Sequence, residues 1–248
     1  MSSRVVLVTG GARGVGLGIV RGFAAVGDTV VTCGRSADPG LDVRYHRADL
    51  REWSQVDGLV AAVVAEYGRI DVVVNNAGGA PPVASATASP RLHEKVIALN
   101  LVAPLHVSQR ANAVMQEQES GGVIVMIGSV SGTRPSPGTA AYGAAKAGLA
   151  NLASSLAVEW APNVRVNTVV VGPVDTELSH LHYGDAAGVA AVGATIPAGR
   201  MATPADVAQA CLYLASPAAS YVTGSTLTVH GGGERPAFLG ASNAVPPR

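Results

Sequence analysis

The chain has 248 residues, 48% hydrophobic and 14% charged, with 17 basic and 17 acidic side chains. So apolar and weakly charged a chain does not stay disordered, and with no net charge it has no global attraction to nucleic acid or anionic membranes. One domain of this length buries about 70–75% of its unfolded surface, and with only 4% aromatic residues its core must be built from Ala, Val, Leu and Ile.

Taken in order, Val5–Thr9 reads as a strand, Gly14–Val26 as a helix and Thr29–Cys33 as a strand. Val43–Arg47 is a weaker strand, and Trp53–Tyr67 carries Val56, Leu59, Val60, Val63 and Val64 at helical spacing. Strands follow at Val72–Asn75, Val123–Ser129, Val164–Val170 and Thr226–Val229. Helices are predicted over Pro90–Gln118, Thr139–Trp160 and Pro204–Ala215, the last with Thr203 as N-cap and Pro204 in the first turn. Gly172–Ala202 and the tail after Gly231 read as irregular. The strands are continuous apolar runs, as in a sheet covered on both faces. Alternation of strand and helix predicts an α/β, doubly wound parallel sheet of about seven strands with helices on both faces.

Cys33 and Cys211 lie far apart, which argues against a disulfide framework and fits a reducing compartment. No metal-ligand spacing surrounds them. Met1-Ser2-Ser3-Arg4 leads into an apolar run too short for a signal core, and no run approaches the ~20 residues of a membrane helix. The expectation is one soluble cytoplasmic domain over residues 1–248, without nucleic-acid or membrane partners.

Between the first strand and helix lies Thr9-Gly10-Gly11-Ala12-Arg13-Gly14-Val15-Gly16. Glycines allow a tight turn and close approach of a pyrophosphate, to which the helix N-terminus offers free N–H groups and partial positive charge. The spacing is Thr-Gly-x-x-x-Gly-x-Gly. Further along come Asn75-Asn76-Ala77-Gly78, Asn100, Ser129, Tyr142-Gly143-Ala144-Ala145-Lys146, Gly172-Pro173 with Thr176, and Thr223-Gly224. In this order the motifs closely resemble the short-chain dehydrogenase/reductase family in its compact single-domain branch, from about Val5 to Gly232.

The resemblance implies a Rossmann-type fold and a nicotinamide cofactor held by Gly10, Arg13, Gly14, Val15, Gly16, Arg35, Asp49, Leu50, Asn75, Ala77, Gly78, Tyr142, Lys146, Pro173 and Thr176. It implies Ser129, Tyr142, Lys146 and Asn100 as the catalytic set. Tyr142 and Lys146, at i and i+4, share a helix face. A free tyrosine titrates near pH 10; an adjacent ammonium is expected to lower that value and fit the phenol for general acid–base work. By resemblance, Lys146 also holds the nicotinamide ribose and Asn100 anchors a relay water. Ser129 is expected to hydrogen-bond the substrate oxygen and stabilise developing alkoxide charge.

The second strand ends Thr32-Cys33-Gly34-Arg35-Ser36 with no acid for the adenosine ribose of NAD(H). Arg35, with Arg13, is suited to a 2′-phosphate, so NADP(H) is favoured and NAD(H) remains open. Asp38 and Asp42 lie too far along to be the usual ribose acid. Three features depart from the family: a short Arg35–Val43 link, Val171 where proline is usual, and His230 where aspartate is common.

By resemblance, residues 177–199 occupy the family's substrate lid, with Leu178, Leu181, Tyr183, Val189 and Val192 able to close over an apolar substrate. His180 and His182 lack a third metal ligand. Residues 233–248 form a C-terminal tail. Gly128–Gly132 and Ala145–Leu149 look similar to 3-oxoacyl-carrier reductases, whereas the acidic Gln116-Glu117-Gln118-Glu119 argues against docking an acidic carrier protein. The leading reading is an oxidoreductase acting on a small-molecule ketone or secondary alcohol. The readings against it are a nucleotide-binding regulatory protein without turnover and a non-nucleotide scaffold. Ala147, Gly148, Ala150 and Ala153 allow close helix approach, and the resemblance implies a homodimer or homotetramer.

Overall fold

A computed structural model describes residues 3–241 and 243. Met1, Ser2 and the tail residues 242 and 244–248, with Pro246 and Pro247, lie outside them. Strands β1 (Val5–Thr9), β2 (Thr29–Gly34), β3 (Arg44–Arg47), β4 (Val72–Asn75), β5 (Gly122–Ser129), β6 (Val164–Val171) and β7 (Thr226–Val229) form one sheet. Its order is β3-β2-β1-β4-β5-β6-β7, and every pairing is parallel. Around it lie α1 (Gly14–Ala25), α2 (Trp53–Tyr67), α3 (Pro90–Ile97), α4 (Ala103–Met115), α5 (Ala140–Trp160), α6 (His180–Tyr183), α7 (Ala186–Thr195), α8 (Pro204–Leu214) and α9 (Ala237–Ala241).

Successive strand residues point to opposite faces, and here both faces are dry. Val5 and Leu7 of β1 join one core with Val56, Val107 and Leu149, from α2, α4 and α5. Val6 and Val8 join a second core with Ile19, Phe23, Val207 and Leu214, from α1 and α8. Full burial of such side chains contributes about 1.5–3 kcal/mol each, which explains the unbroken apolar runs. The order reverses between β1 and β4, and at such a switch point the carboxyl ends of the strands open a crevice.

The helix that borders this crevice is held by close packing. A Cβ on Gly18 of α1 would stand 2.3 Å from Pro204 Cβ and 2.8 Å from its carbonyl carbon, and one on Gly22 would stand 2.9 Å from Ala208 Cβ. Gly18→Ala therefore gains about 1 kcal/mol of helix propensity but meets backbone that cannot yield. Overpacking of this kind costs about 1–3 kcal/mol, so we expect a net loss, read as a lower urea midpoint. Thr203 caps α8 as predicted: its hydroxyl accepts from Asp206 N, the Asp206 carboxylate accepts from Thr203 N, and Pro204 sits in the first turn.

Three regions differ from expectation, one of them the tail read as irregular, where Ala237–Ala241 forms α9. The predicted helix over Pro90–Gln118 is broken by a π-turn at Ala98–Val102 and ends at Met115. Gly172–Ala202, read as irregular, contains α6 and α7, the latter capped by Asp185, whose carboxylate accepts from Gly188 N. Its many alanines and glycines carry no apolar stripe to announce it. Hydrogen bonds from Ala202 N to Pro173 O and from Asp175 N to Ala202 O close the base of residues 177–199.

Candidate active site

At the carboxyl ends of the strands lies a cleft of about 660 Å³. One end is the β1–α1 turn. Gly10 and Gly14 adopt left-handed backbone, with φ of 67° and 53°, and a Cβ on Gly16 would lie 2.3 Å from Gly10 O. Buried Thr32 supports the turn from β2, accepting from Gly11 N at 2.9 Å and donating to Val8 O at 2.7 Å. Thr32→Val strands that buried N–H, and we expect a cost of about 1–3 kcal/mol in denaturant unfolding. Thr9 and Asn76 lace the turn to β4: Thr9 Oγ1 accepts from Asn76 N and Ala77 N, and Asn76 Nδ2 donates to Thr9 O and Gly10 O.

Gly10, Arg13, Gly14, Val15 and Gly16 line the cleft here, with Arg35, Asp49 and Leu50 beyond them. The Asp49 carboxylate is bound by Arg51, whose guanidinium holds it below the usual carboxylate range, with Arg35 adding to the effect. Asp38 accepts from Gly40 N within its own loop. Tyr45 and Asn76 also line the cleft and escaped the sequence reading. No motif marks Tyr45; only its place on β3 puts it against Gly34, where a Cβ would stand 2.7 Å from its hydroxyl. Asn76 has the place assigned to Asn75. The Asn75 side chain turns inward to Ser108 Oγ at 2.8 Å and Met126 Sδ at 3.3 Å, because alternation along β4 sends it to the sheet interior.

At the other end stand Ser129, Tyr142 and Lys146, with Ala77, Gly78 and Thr176 on the walls. Ser129 ends β5, and Tyr142 and Lys146 share one face of α5. The buried Lys146 ammonium donates to Ile127 O at 2.7 Å and lies 5.7 Å from the centre of the Tyr142 ring. Asn100, fully buried in the π-turn, stands behind the wall. Its amide donates to Gly79 O and Val96 O, and its Oδ1 accepts from Gly79 N. A Cβ on Gly78 would stand 2.6 Å from Asn100 Oδ1 and 3.4 Å from Lys146 Nζ, so glycine there lets loop, amide and ammonium converge. Pro173 O accepts from Ala202 N at the base of residues 177–199.

The family model described as enoyl-(acyl carrier protein) reductase matches residues 10–234. The chain belongs to the short-chain dehydrogenase/reductase family. This dehydrogenase/reductase is 38% identical over 246 residues to an uncharacterised short-chain type dehydrogenase/reductase of Sinorhizobium fredii, covering 92% of this chain but 43% of that protein. It is 34% identical over 245 residues to a 3alpha-hydroxysteroid dehydrogenase of Mediterraneibacter gnavus, covering 93% of this chain and 97% of that one. It is 38% identical over 232 residues to the 3-oxoacyl-[acyl-carrier-protein] reductase MabA of Mycobacterium tuberculosis, covering 93% and 92%. The ligand-free aldohexose dehydrogenase of Thermoplasma acidophilum superposes with a TM-score of 0.89 at 29% identity, covering 99% and 98%.

The family is one of NAD(P)(H)-binding oxidoreductases acting on alcohol and ketone groups. The cleft of this short-chain dehydrogenase/reductase fits such a cofactor. Arg13 precedes α1 without a side-chain cap on the helix N-terminus, and glycines with no room for a Cβ leave bare backbone facing the cleft. Its titrating groups differ from the sequence expectation. Tyr142 is raised above the ordinary phenol value, chiefly by burial, although Ser129 draws it down and Tyr183 adds to the rise. Burial also lowers Lys146 to about 8. The ammonium is engaged by Ile127 O, and desolvation outweighs the expected lowering of the phenol.

Of residues 177–199, Leu178 and His182 line the cleft, whereas Leu181 is exposed. Arg134 pairs with Glu234 of the tail. His230 packs on Gly172, where a Cβ would stand 2.8 Å from its own, so it is a packing residue.

Proposed function

We propose that the protein is an NADP(H)-dependent oxidoreductase that interconverts a ketone and a secondary alcohol, with Tyr142 as general acid/base. One observation carries the reading: Ser129, Tyr142 and Lys146 line one end of the same cleft whose other end carries Arg13 and Arg35. The bound cofactor supplies or accepts the hydride. The Ser129 hydroxyl holds the substrate oxygen beside Tyr142 and stabilises charge as it develops. In reduction the Tyr142 phenol gives its proton to that oxygen; in oxidation the phenolate takes it back. Lys146 holds the nicotinamide ribose by donating from Nζ, and Asn100 anchors the water that refills the proton.

The test is nicotinamide absorbance against a panel of ketones and secondary alcohols with both cofactors. No turnover with any of them, despite tight dinucleotide binding, would favour a regulatory protein. The relatives named as 3-oxoacyl and hydroxysteroid enzymes support a ketone or secondary alcohol. A 3-oxoacyl carrier or CoA thioester is the second reading, supported by the first of those names and opposed by Gln116-Glu117-Gln118-Glu119.

For the cofactor, cleft-lining Arg35 and Arg13 face no acid at the end of β2, and Asp38 is spent on its own turn. Arg35→Ala is expected to weaken NADPH binding about 10- to 100-fold and to change NADH binding less than about threefold, by calorimetry. Equal losses for both would remove the 2′-phosphate assignment.

We also propose a homodimer or homotetramer. Within the subunit Ala153 is buried and Gly148 packs on Leu101. The outer face of α5 carries Ala144, Ala147, Asn151, Ser154, Ser155 and Val158. No described helix is long and apolar enough to cross a membrane. The buried free thiols Cys33 and Cys211 support a cytoplasmic setting.

A further inference from the structure

The first residue of the lid reaches across the cleft. Glu177 Oε1 accepts a hydrogen bond from Gly14 N at 2.8 Å. Gly14 opens α1, and its N–H is one of the helix-terminal donors that a dinucleotide phosphate uses. The Arg13 side chain does not cap this end, so the carboxylate serves as an anionic cap, drawn by the same N–H and helix dipole that attract phosphate.

The reach of Glu177 is built into the local chain. Thr176 N donates to the buried Ser179 hydroxyl at 2.8 Å, Leu178 N donates to Thr176 Oγ1 at 3.2 Å, and Ser179 Oγ donates to Val174 O at 3.4 Å. These bonds fix the turn that carries Glu177 between two residues, Thr176 and Leu178, that themselves line the cleft. Among the described residues, Glu177 Oε1 is the side-chain acceptor recorded for that N–H.

We propose that Glu177 is the chain's own occupant of the pyrophosphate subsite: an intramolecular competitor that the dinucleotide displaces on binding and that retakes the site on release. The inference rests on the dinucleotide-binding reading above. It makes Glu177 a residue that sets cofactor affinity and exchange.

Calorimetry on the full chain with NADPH, ADP-ribose and adenosine tests this, using the wild type, Glu177→Ala and Glu177→Asp. Alanine removes the competitor; aspartate keeps the charge but is one methylene too short to reach. Removing an exposed charge-assisted hydrogen bond is worth about five- to tenfold. We expect NADPH and ADP-ribose to bind about five- to tenfold tighter in both variants, with adenosine, which has no phosphate, unchanged. Tightening in Glu177→Ala alone would mean distant charge repulsion and overturns the proposal, as does no tightening in either. Wild-type protein that binds neither NADPH nor ADP-ribose fails at the earlier step, the dinucleotide reading itself. A second readout guards against altered folding: both variants should melt slightly lower without ligand and show a larger NADPH-induced rise.

Discussion

Tyr142→Phe is expected to lower kcat/KM by about 10²–10⁴ while leaving the dissociation constant for NADPH within about twofold. The substitution deletes one oxygen and keeps the ring that fills α5's face of the cleft. Proton transfer is lost and the cofactor's supports are kept. The wild type should also show opposite pH dependences in its two directions. Burial raises the Tyr142 phenol, so it is protonated throughout the neutral range. Ketone reduction, which uses the protonated form, is expected to be flat through the neutral range. Alcohol oxidation uses the phenolate, and its rate should climb about tenfold per pH unit until the phenol titrates. Measured kcat/KM profiles in both directions check this; an oxidation profile that is flat from pH 6 to 9 would falsify Tyr142 as the base, those pH limits being about three units wide below the ordinary phenol value.

Lys146→Met is the second large effect, and it should separate stability from function. Activity is expected to fall about 10²-fold or more, with weaker cofactor binding, because the ammonium that holds the ribose is gone. Stability should move the other way. Lys146 is buried, and its folded value of about 8 lies below the ordinary 10.5. Between those two values the unfolded chain binds more protons than the folded one, so wild-type stability rises with pH across that window. Below it the buried cation carries its full desolvation cost, of the order of a few kcal/mol. Methionine carries none, so the variant should be more stable than the wild type at pH 7 without cofactor, and the difference should shrink as the pH rises from about 8 to about 10.5. Urea titrations across that range check it. Lys95 is the only other lysine, so the titration of Lys146 can also be followed directly by NMR.

Much of this was legible in the chain. The central strands were readable because they are buried on both faces, and runs such as Val5–Thr9 and Val72–Asn75 carry that burial as valine-rich composition, whereas the edge strands β3 and β7 are partly exposed. The capped start of α8 was readable from Thr203-Pro204 because capping chemistry is local. Gly10, Ser129, Tyr142 and Lys146 were legible through the family motifs that contain them, and the structure sets them at strand ends and on one helix face along the cleft. What was not legible depended on three-dimensional register or environment. Asn75 and Asn76 are adjacent asparagines, and only the alternation of β4 decides which one faces the cleft. Tyr45 is an ordinary tyrosine until β3 sets it beside Gly34. The direction of the Tyr142 shift depends on desolvation, which no motif encodes. The π-turn holding Asn100 and the lid helices α6 and α7 have no apolar periodicity to reveal them.

The double-sided core also determines where this protein is free to change. Val6, Leu7 and Val8 each lack any solvent-facing side, so a polar replacement at any of them lands in a dry layer and stability drops. Around the cleft, room for new side chains lies in the exposed segments beyond the strand ends: residues 80–85, 130–138 and 177–199. Diversification for a different substrate therefore belongs in those three segments, with the central strands kept unchanged.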